Sequence, residues 1–169
     1  MRNNMKVLGK GANGTVYLRG GLAVKRTKDL REVQALLKLT NLDFVPRIRN
    51  QGRGWFSMNR LPVGTKPWSK WKATNEQKRA ALQQLKANVN TLHARGISHG
   101  DLHTDNVLVN KKGKVWIIDF GRYQPINGRR ESTKYTTNKY VFNYNGVPTY
   151  DFGGILSRRN RNMLKGFRV

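Results

Sequence analysis

The sequence predicts an α+β fold in two lobes, a small β-rich first lobe with one helix and a mainly helical second lobe. Three features carry that expectation. Short apolar runs broken by glycines fill the chain as far as about residue 60. A long stretch of helical period follows at 74–95. Between them, Leu61-Pro62-Val63-Gly64 has the composition of a connector. The expected organisation is one domain over 1–169, with the first lobe at about 1–60, a hinge at about 59–64 and the second lobe at about 65–169.

Met5 to Gly9 and Thr15 to Leu18 read as strands around a glycine-rich turn, and Gly20-Gly21 turns the chain into a third strand, Leu22 to Arg26. A helix is expected from about Leu30 to Leu39, capped by Asp29 with Glu32 at its third position. Phe44 to Arg49 and Trp55 to Met58 read as two further strands. In the long helix Thr74 is the cap, Gln77 completes a capping box, Ala80, Leu82, Leu85, Val89 and Leu92 form the apolar stripe, and Gly96 is the stop. Val107-Leu108-Val109 and Val115 to Ile118 flank Lys112-Gly113 as a hairpin. The segment Tyr123 to Tyr150 is polar, and Ile155 to Leu164 reads as a short last helix.

Composition narrows the classes. There is no cysteine, which removes disulfides and thiolate chemistry and fits a reducing, cytoplasmic compartment. No apolar run is long enough to span a bilayer, and the start of the chain lacks the apolar core of a signal peptide. With 33 Lys and Arg against 9 Asp and Glu, the formal charge is +24, so polyanions of several kinds are candidate partners.

Gly9-Lys10-Gly11-Ala12-Asn13-Gly14-Thr15-Val16 places three glycines between two strands, where the backbone can approach phosphates without a Cβ in the way. A dinucleotide-binding loop would open directly into a helix, and Thr15 to Leu18 with Gly20-Gly21 behind them favour a strand instead. Lys25 ends the third strand and can reach phosphates under that loop, with Glu32 either pairing with it or completing the capping box. His99-Gly100-Asp101-Leu102-His103-Thr104-Asp105-Asn106 and then Ile117-Ile118-Asp119-Phe120-Gly121 form the strongest signal. Phosphoryl transfer needs magnesium to clamp phosphates and a carboxylate to orient the attacking hydroxyl. Asp101 suits the second task, and Asn106 and Asp119 offer the hard oxygen ligands magnesium prefers.

In that order, over about Val7 to Arg122, these motifs resemble the protein-kinase-like superfamily. The resemblance implies a bilobal kinase-like fold and a phosphotransferase using ATP and magnesium. It assigns Gly9, Gly11 and Gly14 to covering the phosphates, with Val16 and Ala23 also at the nucleotide. Lys25 would contact the α- and β-phosphates and pair with Glu32; Met58 would precede the hinge, and Asn59 to Leu61 would offer backbone hydrogen bonds to adenine. Asp101 would be the catalytic carboxylate, and Asn106 and Asp119 would hold magnesium.

The departures are equally specific. Gly100 stands where typical protein kinases carry arginine, so activity is expected not to require loop phosphorylation. His103 stands where serine/threonine kinases carry lysine, and it either touches the γ-phosphate or packs within its loop. The string H-G-D-L-H-x-x-N is similar to RIO kinases, the small kinase of the KEOPS complex, lipopolysaccharide-core sugar kinases and aminoglycoside phosphotransferases. No A-P-E follows Gly121, so the second lobe is expected to be truncated, and Asp151 is read as either a brace for the catalytic loop or a turn residue. His99 is expected to be structural, hydrogen-bonding near Asp119.

Lys66, Lys70 and Lys72 interleave with Trp68 and Trp71, which either stack on nucleic-acid bases or pack on the long helix. The basic residues from Arg129 to Arg168 are either an anchor for nucleic acid or an acidic partner, or a solvated face. A protein serine/threonine kinase, itself among its substrates, is the leading expectation. A small-molecule kinase and a basic binding module on a kinase-like scaffold are the alternatives.

Overall fold

A computed structural model describes residues 5–11, 14–27, 29–125, 142–143 and 147–148. The expected last helix and the position of Asp151 lie outside them. Strands β1 (Lys6–Gly11), β2 (Gly14–Arg19) and β3 (Leu22–Arg26) form where the glycine pattern places them. They join β4 (Ile48–Gly52) and β5 (Trp55–Asn59) in a five-stranded antiparallel sheet ordered β1-β2-β3-β5-β4. The register sets Val16 opposite Lys25, Ala23 opposite Met58 and Lys25 opposite Phe56.

Helix α1 (Arg31–Lys38) packs Val33, Ala35 and Leu36 into the core. Its start differs from the expected capping box: Leu30 is the N-cap residue, with no side-chain cap bond. Asp29 still holds the Arg31 N–H at 2.9 Å, but it sits one residue too early to cap. Glu32 is drawn away from the helix end into a buried ion pair, so tertiary electrostatics override the local pattern. The expected strand at Phe44 also starts later. Phe44, Val45 and Pro46 are buried in a turn and bend, and β4 begins only at Ile48, since proline cannot donate to a ladder. The carbonyl of Phe44 instead accepts from the Ile117 N–H at 2.9 Å, tying the two parts of the chain together.

After the turn at Pro62–Thr65, β6 (Lys66–Pro67) leads through a 3-10 turn (Trp68–Lys70) to α2 (Asn75–Ala94). The capping box of Thr74 and Gln77 is present in full, a feature worth about 1 kcal/mol. Leu82, Leu85, Val89 and Leu92 face the core; Ala81, not Ala80, is the buried alanine beside them. Burial of each of the larger side chains contributes about 1.5–3 kcal/mol relative to exposure. Gly96, with φ +73°, ends the helix.

Strand β7 (Ile97–Ser98) follows, then the hairpin β8 (Val107–Val109) and β9 (Val115–Ile117), which joins β6 in a three-stranded sheet ordered β6-β8-β9. Asn110 fastens the hairpin turn: its side-chain oxygen accepts from the backbone N–H groups of Lys112 and Lys114, each at 2.9 Å. Strand β10 (Gln124–Pro125) pairs with β7, and β11 (Phe142–Asn143) pairs with β12 (Val147–Pro148). Core residues of both parts form one continuous hydrophobic cluster. Trp68 is buried in it, with Trp71 edge-on at 5.6 Å, so Trp68 packs rather than offering a face to bases. No helix among the described residues is long and apolar enough to cross a membrane.

Candidate active site

Four pieces of chain meet at the candidate site: β3, α1, the loop after β7 and the loop after β9. Lys25, at the inner end of β3, is only 4% exposed. Its ammonium donates to Glu32 Oε2 at 2.5 Å and to Asp119 Oδ1 at 2.9 Å. Burial works against the lysine charge, but Glu32 and Asp119 together outweigh it and hold Lys25 above its ordinary value. Burial pushes Glu32 above the usual carboxylate range, and Lys25 only partly offsets this. Two carboxylates facing one ammonium leave surplus negative charge, a setting that favours a further cation.

Asp119 has φ +63°, the one described non-glycine residue in the left-handed region. Such a backbone costs about 1–3 kcal/mol and marks a residue held for a purpose. The surroundings hold it firmly. Phe120 is fully buried and tilts against the His99 ring at 4.7 Å. His99 accepts the Asp101 N–H on Nδ1 at 3.2 Å, so its protonated Nε2 donates to the Ile118 carbonyl at 2.9 Å. The structural reading of His99 beside Asp119 therefore holds.

Asn106 donates its amide to the Asp101 carbonyl at 2.9 Å, while its backbone carbonyl accepts from the Ile118 N–H at 3.0 Å. That commits the amide nitrogen and leaves the side-chain oxygen as the group able to take a cation. Asn106 and Asp119 thus offer oxygen donors of the kind a magnesium ion would take. Among the described residues no trio of His, Cys, Asp or Glu forms a metal cage.

The glycines divide by role. At Gly9 and Gly11 an added Cβ would meet nothing within 4 Å, so the space beside them is open. At Gly14, with φ +132°, a Cβ would lie 2.1 Å from the Arg26 carbonyl oxygen, so the β2–β3 contact itself demands glycine there. Val16 is half-buried and Ala23 and Met58 are buried on adjoining strands of the same sheet. At the hinge, the Asn59 N–H is already donated to the Arg47 carbonyl at 3.0 Å, which removes it as an adenine donor. The Leu61 N–H has no bond among the described residues and remains for that task.

His103 is half-buried, and its Nδ1 accepts the Asp105 N–H at 3.2 Å. It thus fastens its own loop, with Nε2 left over.

The sequence reading missed Arg122. Its NH1 lies 3.7 Å from Asp101 Oδ1. Its carbonyl oxygen would lie 2.1 Å from any Cβ placed on Gly100, which has φ +76°. The available signal was its place directly after Asp119-Phe120-Gly121.

A family model of the protein kinase domain matches residues 54–144, more than half of the chain. The chain belongs to the protein kinase family, a family of phosphotransferases. The match takes in Asp101, Asn106 and Asp119; the glycine segment, Lys25 and Glu32 lie before it, where geometry alone speaks. Among curated proteins, sperm motility kinase 2B of Mus musculus is 50% identical over 46 residues, 27% of this chain and 10% of that protein. CBL-interacting protein kinase 21 of Oryza sativa subsp. japonica is 38% identical over 69 residues, 40% of this chain and 13% of that protein. Putative CBL-interacting protein kinase 13 of the same plant is 35% identical over 81 residues, 48% of this chain and 15% of that protein. The matched segments therefore span only about a tenth to a seventh of these relatives' lengths.

Proposed function

We propose that this chain is an ATP- and magnesium-dependent protein serine/threonine kinase of atypical type that needs no loop phosphorylation. The observation that carries the reading is the double pairing of Lys25 with Glu32 and Asp119. It joins strand β3, helix α1 and the loop after β9, and supports the arrangement that phosphoryl transfer would need. Gly9, Gly11 and Gly14 would lie over the phosphates of ATP, and Leu61 would meet the adenine. Asn106 and Asp119 would hold magnesium, which when bound neutralises charge on the β- and γ-phosphates. Asp101 would orient the acceptor hydroxyl and take its proton as oxygen bonds to the γ-phosphorus. The bond from that phosphorus to the β,γ-bridging oxygen breaks, and ADP leaves.

Independence from loop phosphorylation is supported by Gly100, which has no charge to grip a phosphate. A side chain there would also collide with the Arg122 backbone. With His103 it gives the chain its likeness to RIO, KEOPS-complex and lipopolysaccharide-core kinases. A cationic small molecule such as an aminoglycoside is disfavoured, because the chain has only 9 acidic residues to hold one. The test is incubation with γ-labelled ATP, magnesium and a generic serine-rich protein. Label should pass to protein, the chain itself included, and Asp101→Asn should abolish it with the melting temperature unchanged. Label that passes only to a small hydroxyl compound, or unchanged transfer in Asp101→Asn, would contradict the proposal.

A further inference from the structure

Arg122 stands beside Asp101 with its guanidinium more than half exposed (58% for the side chain), whereas Asp101 is 20% exposed. The described contact involves NH1 alone, at 3.7 Å. An arginine has five donors in a fork that matches a carboxylate. Most of that fork is therefore open to whatever carries the hydroxyl that meets Asp101.

The acids around it tell the same story from the other side. A kinase that selects basic segments needs free carboxylates near its cleft, and most of the described carboxylates have a partner of their own. Glu32 and Asp119 share Lys25. Asp29 is held by Arg31 at 2.5 Å and Asp43 by Lys114 at 2.6 Å. Asp105 accepts the Ser69 hydroxyl. Glu76 sits in the first turn of α2, where its charge complements the helix's positive end. With 33 basic residues against 9 acidic ones, the chain as a whole attracts anions.

Resting on the kinase reading above, the geometry points to an acidic polypeptide as acceptor, with a carboxylate next to the reacting serine or threonine gripped by Arg122. Seating that carboxylate on Arg122 brings the neighbouring hydroxyl to Asp101, so the same residue that selects the substrate also sets its register. The contact is an ion pair at an exposed position, so its contribution falls as salt rises.

Three peptides of equal length decide the matter, each with one serine flanked by Asp and Glu, by Ala and Gln, or by Lys and Arg. Wild-type protein with magnesium and ATP should rank them acidic, neutral, basic by kcat/KM, with about tenfold between the first two. Arg122→Gln should bring the acidic-to-neutral ratio close to one, mainly through KM, Arg122→Lys should keep part of it, and Arg122→Glu should invert it. Each ratio is internal to one variant, so a general loss of activity does not disturb it. The wild-type ranking stands by itself if a variant does not fold. A basic peptide that equals or beats the acidic one, or an unchanged ratio in Arg122→Gln, overturns the acidic-acceptor inference and leaves the kinase reading intact. No label on any peptide or on the chain overturns both.

Discussion

Two stretches flank the cleft, and their glycines differ in kind. Along β1 every residue from Lys6 to Gly11 is exposed, and a Cβ at Gly9 or Gly11 would enter empty space. In the loop from His99 to Asn106, His99 and Leu102 are fully buried, and Gly100 is pressed against the Arg122 carbonyl. The first segment is held by its pairing with β2 and leaves its outer face open. The second is already held by hydrogen bonds among His99, Asp101, Asn106 and Ile118. On the proposed reading, the difference would separate recruitment of the nucleotide from positioning of the chemistry, since a group fixed before the substrate arrives loses no entropy at the moment of reaction.

The sharpest way to break this comparison is at Gly100. Gly100→Arg would restore the residue usual in protein kinases, yet it forces a Cβ into a backbone oxygen at a left-handed position. We expect a loss of about 3 kcal/mol or more, roughly 10 °C in melting temperature for a chain of this size. A stable, active Gly100→Arg would contradict the prebuilt loop. Next in size, Lys25→Met should lower kcat by about 100-fold or more and also lower the melting temperature, because it leaves the buried Glu32 without its partner. Steady-state kinetics beside calorimetry checks this, and a normal kcat would show that the pair is only structural.

Gly9→Ala and Gly11→Ala sharpen the other half. Their Cβ atoms meet no protein atom. Melting should therefore hold within about 1 °C, while KM for ATP rises by a few-fold, from about 3 to 10, as backbone approach to phosphate is hindered. Lowered stability with unchanged KM would mean these glycines serve the fold.

The smallest effect belongs to Asp43, which Lys114 holds below its ordinary carboxylate value. A lowered native value contributes stability above the ordinary one and loses it as pH falls through the native one. The pair is exposed, so thermal melts from pH 7 to pH 3 should show Asp43→Asn removing only a few tenths of a kcal/mol of acid sensitivity. A large change would show coupling to the core.

Much of this was legible in the sequence because its signals are local. The capping box at Thr74 and Gln77, the strands around Gly20-Gly21 and the hairpin at Asn110 to Gly113 each depend on neighbours within a few residues. The ordered motifs drew Lys25, Glu32, Asp101, Asn106 and Asp119 into one reading because phosphoryl transfer fixes their types. What escaped depends on distant contacts. Glu32 leaves the helix start for Lys25, Pro46 delays β4, and Ala81 rather than Ala80 meets the core because helix phase is set by packing. The closeness of Arg122 to Gly100 and Asp101 comes from loop packing that no spacing announces.

The most direct test of the central claim is calorimetric titration of ATP with and without magnesium, into wild type and Asp119→Asn. The account predicts that magnesium tightens ATP binding to the wild type and that Asp119→Asn loses this enhancement while keeping its melting temperature. ATP binding that ignores magnesium in the wild type, or an identical magnesium effect in Asp119→Asn, would contradict it.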